Sequence, residues 1–281
     1  MGRLIANIKS KAGSGVPLLY LLLSLAYFLP MLSGRNIFVE RDLAGFFIPP
    51  KYLWVSLVKS FQAPFWNPHN YSGIPLLATL QPGVFYPPHA LYLLLPFNMA
   101  WNWLIILHVA FAGISTHLLL SRLRVSTAGA FAGGIVFMLS GYLISIHNLL
   151  PHLFAVPWLP LAIISLLQYF RTGQTKYPVF CAAILAVQFF AGAPEITIMT
   201  IATLCVIGCY VHHFIGDEDM PQSIIPLSAR LKTLGLILLL FFLLASVQLL
   251  PFLELKSHSI RAGGLSYQEA VTWSFAWRDF I

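Results

Sequence analysis

Of the 281 residues, 58% are hydrophobic and only 9% are charged. Soluble chains carry about a quarter charged residues, so this composition excludes a soluble domain and places most of the chain in lipid. The formal charge of +7 does not indicate a nucleic-acid partner, because the bases stand singly at the ends of apolar runs, where Lys and Arg set membrane orientation.

A membrane span needs about 20 mostly apolar residues. Arg3, Lys9 and Lys11 precede a first apolar run at 16–32. It is long for a signal-peptide core and no clear cleavage site follows, so it reads as an uncleaved span. Further runs fall at 99–120, 127–146, 153–170, 177–190, 196–213 and 234–252. The expectation is an all-α polytopic membrane protein with about seven transmembrane helices. With the N-terminus cytoplasmic, the cytoplasmic connections hold Arg122 and Arg124, Arg171 and Lys176, then Arg230 and Lys232. The opposite turns at 147–152 and 193–195 hold no Lys or Arg. That asymmetry follows the positive-inside rule.

The first extracytoplasmic loop, 34–98, is the longest segment between apolar runs. Phe46, Phe47, Leu53, Trp54, Leu57, Val58 and Phe61 recur at helical spacing, with Lys51 and Lys59 off the stripe. Pro49-Pro50 suits a helix start, which predicts an amphipathic surface helix over about 50–61. Residues 86–97 are too short and proline-punctuated to cross and read as interfacial or re-entrant. Cys181, Cys205 and Cys209 lie in apolar runs and read as buried apolar residues. Asp217-Glu218-Asp219 reads as a solvated connector, and His212 and His213 as headgroup-facing. Residues 254–281 read as the start of a further extracytoplasmic segment that breaks off in mid-pattern.

Chemistry concentrates on one membrane face. In Glu40-x-Asp42, an extended backbone would point both carboxylates to one side, toward a divalent cation or as a general base toward an acceptor hydroxyl. Surface loops carry acids in any case, here beside Arg35 and Arg41, and on chemistry alone both readings stand. Glu195 begins the 196–213 run, where the helix dipole favours it. His147 and His152 flank the same face, either as ligands or as polar caps, and His69 lies in the loop. His108 and His117, inside a span, read as packed or hydrogen-bonded.

The loop also carries Phe65-Trp66-Asn67-Pro68, Ser72-Gly73-Ile74-Pro75 and Phe85-Tyr86-Pro87-Pro88. Later come Phe137-Met138-Leu139-Ser140-Gly141-Tyr142 and Gln188-Phe189-Phe190-Ala191-Gly192-Ala193-Pro194-Glu195. Their order resembles the YfhO-like bacterial membrane protein family, which is similar to GT-C glycosyltransferases. The resemblance implies a GT-C-like transmembrane domain over 1–253 in the bacterial cytoplasmic membrane. It also implies transfer of a sugar from a polyprenyl-phosphate carrier to a cell-envelope glycopolymer or lipid acceptor. Asp42 would be the loop acid and Glu40 its partner. Arg35, Arg41, His69, His147, His152 and Glu195 would contribute to substrate binding, with Arg261 a further base for the lipid phosphate. Family members usually have more spans and a C-terminal extracytoplasmic part. A transporter or flippase, and a non-catalytic assembly subunit, are the alternatives.

Overall fold

The apolar runs form helices. A computed structural model of the chain describes residues 15–210, 226–260, 262–272 and 274. Arg3, Lys9, Lys11, His212, His213, the acid run 217–219 and Arg261 lie outside the described residues.

The first helix, α1 (Val16–Tyr27), runs into a 3₁₀ turn at Leu29–Met31. The following loop contains α2 (Ile48–Lys59), the two-residue antiparallel strands β1 (Trp66–Asn67) and β2 (Ile74–Pro75), and α3 (Leu91–Leu94). Next come α4 (Phe97–Arg122), α5 (Thr127–Met138), α6 (Gly141–Ser145), α7 (Leu150–Ala155) and α8 (Leu159–Thr172). Helices α9 (Lys176–Phe190), α10 (Pro194–Cys209), α11 (Leu227–Ser257) and α12 (Tyr267–Ala270) complete the described elements.

Among the described residues, four helical stretches are long and apolar enough to cross a membrane: Phe97–Arg122, Thr127–Asn148, Leu150–Thr172 and Leu227–Ser257. The other three expected spans correspond to shorter apolar helices, α1, α9 and α10, of 12, 15 and 16 residues. At ~1.5 Å per residue these reach ~18–24 Å, against a hydrocarbon core of ~30 Å.

Local chemistry sets the breaks. The Thr127–Asn148 stretch is interrupted at Leu139, and Ser140 restarts it by accepting the Leu143 amide hydrogen bond at 3.2 Å, as N-cap serines do. Pro151, Pro157 and Pro160 each stand at the first turn of a helical segment, where a missing N–H costs nothing. Gly173 closes α8 in the left-handed region at φ +68°.

Packing then joins the pieces. Tyr20 of α1 is fully buried, and its hydroxyl donates to the Phe131 carbonyl at 3.0 Å. Ser24 donates to the Ile106 carbonyl at 2.7 Å, so α1 is tied to both α4 and α5. The Asn102 amide donates to the Met31 and Asn36 carbonyls at 2.8 and 2.6 Å, and the Trp101 indole to the Phe38 carbonyl at 3.0 Å. These bonds fix the chain where it leaves α1 for the loop acids.

One sequence-based expectation is corrected. Lys51 is not on the polar side of the loop helix: it is buried, with Pro50, Trp54 and Val55 sharing its face, while Phe46 and Phe61 are exposed. Residues 51, 54 and 55 form the i, i+3, i+4 stripe that packs. Arg230 is likewise buried and donates to the Gly208 and Cys209 carbonyls at 3.3 and 2.7 Å. It closes the C-terminus of α10, where free carbonyls and the helix dipole favour a cation.

Candidate functional site

The loop acids stand on distorted backbone. Glu40 and Arg41 form a turn with Arg41 at φ +49°, and Asp42 heads a π-helical turn at Leu43–Phe47. A left-handed arginine is strained, and single π turns recur at functional sites. The extended geometry expected for Glu40-x-Asp42 is therefore replaced by a turn.

The two carboxylates have different surroundings. Glu40 reaches His147, Oε2 to Nε2 3.4 Å, whereas Asp42 is exposed and makes no side-chain cap bond. Arg35 and Arg41 are also exposed. Among the described residues no group of three or more His, Cys, Asp or Glu gathers where a metal ion would be held.

A second acid–imidazole pair stands on the same helical corner. His152 Nε2 lies 2.8 Å from Glu195 Oε1. This hydrogen bond holds the Glu195 carboxyl below its ordinary value, against the opposing effect of partial burial. His147 donates from Nδ1 to the Ile144 carbonyl at 2.7 Å, which leaves Nε2 to face Glu40. Four of the six sequence-predicted histidines and acids thus form two pairs, Glu40–His147 and Glu195–His152, while Asp42 and His69 stand apart from both.

Gly192 connects this corner to the loop. Its φ is +100°, and a Cβ there would sit 2.9 Å from the Leu80 carbonyl oxygen and 3.5 Å from Pro151 Cβ. Only glycine permits both the conformation and that close backbone approach. The neighbouring 3₁₀ turn at Leu77–Thr79 is tied to α11 by a hydrogen bond from the buried Gln248 amide to the Leu77 carbonyl.

A cavity of about 510 Å³ opens between this loop and the end of α11. Gly45 and Phe46, one turn beyond Asp42, line one side, and Asn70, Gln81, Lys256 and Ser259 supply polar groups. Gln81 Oε1 is buried with no hydrogen-bond partner among the described residues. His69 lies on the exposed hairpin tip beside Asn70, its amide donating to Asn67 Oδ1 at 2.9 Å. The volume falls within the range that holds small-molecule ligands, about 300–1,000 Å³.

Beneath the loop lies a buried polar cluster that the sequence reading missed. Lys51 Nζ hydrogen-bonds to the Pro82 carbonyl and contacts His89, whose Nδ1 donates to the Gly83 carbonyl at 2.8 Å. Burial pushes both basic groups well below their ordinary pKa values. Tyr86 lies beside them, bonded to His108 Nε2 at 2.6 Å and accepting from the Trp158 indole at 2.9 Å. The available signal was the register of Lys51 with Trp54 and Val55. His108 is packed and hydrogen-bonded, as its place in an apolar run suggested.

The cluster ties the loop to α4 through the Tyr86–His108 hydrogen bond. The chain matches no protein-family model, no curated protein and no solved structure.

Proposed function

We propose that this chain is a GT-C-like membrane glycosyltransferase, moving a sugar from a polyprenyl-phosphate carrier to a cell-envelope acceptor outside the cytoplasm. In this reading seven helices cross the bacterial cytoplasmic membrane, the N-terminus is cytoplasmic, and the loop between α1 and α4 faces outward. The observation that carries the proposal is the cavity of about 510 Å³, largely apolar with Asn70, Gln81, Lys256 and Ser259 as its polar points, whose wall begins at Gly45, one turn along the chain from the exposed Asp42. Asp42 takes the proton of an acceptor hydroxyl as its oxygen bonds to the sugar's anomeric carbon. The bond from that carbon to the phosphate oxygen breaks, and polyprenyl phosphate leaves as the anion. Lys256 supplies positive charge at the cavity wall, with Arg35 and Arg41 on the acidic segment. Arg41 and the π turn fix the approach of Asp42, consistent with strain held at a functional site.

A transporter reading draws on the helix break at Leu139. The buried Asn102, His108 and Gln188 nevertheless engage carbonyls of the chain itself, at Met31, Leu104 and Ala155. They therefore act as packing groups.

The test is transfer from a radiolabelled polyprenyl-phosphate sugar in membranes containing the chain. Wild type is expected to transfer, and Asp42→Asn to lose about 10²- to 10⁴-fold, the range of a general base. Equal transfer by both would overturn the role of Asp42. No transfer by either would overturn the glycosyltransferase reading and favour an assembly subunit.

A further inference from the structure

A second cavity, of about 500 Å³, lies beside the first and shares Ala78 and Leu255 with it. Phe65 and Trp66 line it from the hairpin, and Glu254 and His258 from the end of α11.

The aromatic side is exposed yet held. Phe65 and Trp66 are 64% and 52% exposed. Behind the indole stands Gly73 at φ +102°, where a Cβ would come within 2.7 Å of Trp66 Cε2 and Nε1. Trp66 also pairs with Pro75 across the ladder, and the Leu76 amide donates to the Phe65 carbonyl at 2.8 Å. The ring is therefore backed by the hairpin on one side and open toward the cavity. It forms a rigid apolar platform with little entropy left to lose.

The opposite side is polar. Glu254 and His258 are one helical turn apart, so they share a face of the helix end, and both are exposed. Neither makes an ion pair among the described residues. A lipid tail would use the rings and make no use of the carboxylate and imidazole. A pyranose satisfies both: its C–H face packs on an aromatic ring while its hydroxyls donate to a carboxylate and exchange hydrogen bonds with an imidazole.

We infer that the Trp66–Glu254–His258 groove is a saccharide subsite that holds the acceptor glycan next to the first cavity. Its assignment to the acceptor rests on the glycosyltransferase reading, whereas saccharide binding itself does not. One shared wall separates the two cavities, which places neighbouring sugar residues in adjoining spaces.

The test uses the full chain in lipid nanodiscs with cellotetraose, mannotetraose and chitotetraose, read by saturation-transfer NMR and calorimetry. At least one tetrasaccharide is expected to bind. Trp66→Ala and Glu254→Ala should each weaken it about tenfold or more, a loss equivalent to one good contact, while Trp66→Phe retains most of the affinity. Glu254 is exposed on a helix end, so its substitution tests the groove even where Trp66→Ala disturbs the hairpin. Absence of saturable binding for all three sugars, or binding unchanged by both alanine variants, would overturn the subsite. Binding that depends on Trp66 and Glu254 in a chain that transfers no sugar would keep the subsite and overturn its assignment to an acceptor.

Discussion

Lys51 Nζ lies 3.2 Å from both ring nitrogens of His89, and both side chains are almost fully buried. Trp54, Tyr92, Tyr86 and Phe154 surround the imidazole, with the Pro82 and Gly83 carbonyls as the neighbouring polar groups. No carboxylate joins them among the described residues. Burial penalises the charged form of both bases and so favours their neutral forms in the folded chain.

A definite pH dependence follows. The folded values are depressed below the ordinary 10.5 for Lys51 and 6.5 for His89. Between the folded and unfolded values the unfolded chain binds more protons, so stability rises with pH and falls on acidification. The Lys51 contribution declines below pH 10.5, and His89 adds a further decline below 6.5. Melting temperatures of the detergent-solubilised chain from about pH 5 to about pH 9 should climb, and Lys51→Met should reduce that slope. An unchanged slope in the variant would show that the amine does not titrate with folding.

Tyr86 gathers two hydrogen bonds on one hydroxyl. His108 Nδ1 donates to the Leu104 carbonyl at 2.6 Å, so Nε2 accepts the Tyr86 proton, while the Trp158 indole donates to the Tyr86 oxygen. Tyr86→Phe leaves the indole N–H and imidazole Nε2 unpaired in the interior. A loss of about 2–4 kcal/mol is expected, because each orphaned buried group costs about 1–3 kcal/mol. Tyr71→Phe, at a position 99% exposed, should change stability by less than about 0.5 kcal/mol. Comparable unfolding midpoints for the two variants would contradict the network.

The Glu195–His152 bond has the opposite pH sense. Its carboxyl is held below 4.5 in the folded chain, so it adds stability above that value and loses it as pH falls through the folded value. The side chain is half exposed, which makes the effect small through solvent screening. Titrating thermal stability from about pH 6 to about pH 3 should show a component in wild type that Glu195→Gln lacks. Identical profiles would mean that the hydrogen bond does not persist in solution.

Gly192→Ala tests how the corner and the loop are joined. The substitution forces an L-residue into φ +100° and drives its Cβ against the Leu80 carbonyl. Left-handed strain alone costs roughly 1–2 kcal/mol, and a backbone contact has little room to yield. Lower thermal stability is expected, together with greater proteolysis of the loop that follows Leu80. An alanine variant with the wild-type melting point would show that the packing there is loose.

The long apolar helices were legible because length and apolarity follow from composition alone. The runs at 99–120, 127–146, 153–170 and 234–252 correspond to helical stretches of 26, 22, 23 and 31 residues. The runs at 16–32, 177–190 and 196–213 were harder to size, since their helices contain only 12, 15 and 16 residues. Helix ends were misplaced where proline and serine caps extend or interrupt a run, as at Pro151 and Ser140.

The loop helix shows the limit of periodicity. Residues 46–61 contain two overlapping apolar faces, and the pattern favoured the one that leaves Lys51 outside. Packing against His89 and the Pro82 carbonyl chose the other, because the lysine stem is apolar and its amine finds hydrogen bonds inside.

Glu40-Arg41-Asp42 marks the same division. Its acids, the aromatic hairpin and the apolar runs are properties of the chain, set by composition and local propensity. The pairing of Glu40 with His147 and the two cavities against α11 depend on contacts between distant residues. Such contacts form only when Tyr20, Asn102, Gly192 and Gln248 bring the loop and helices together. No short window of sequence records that geometry.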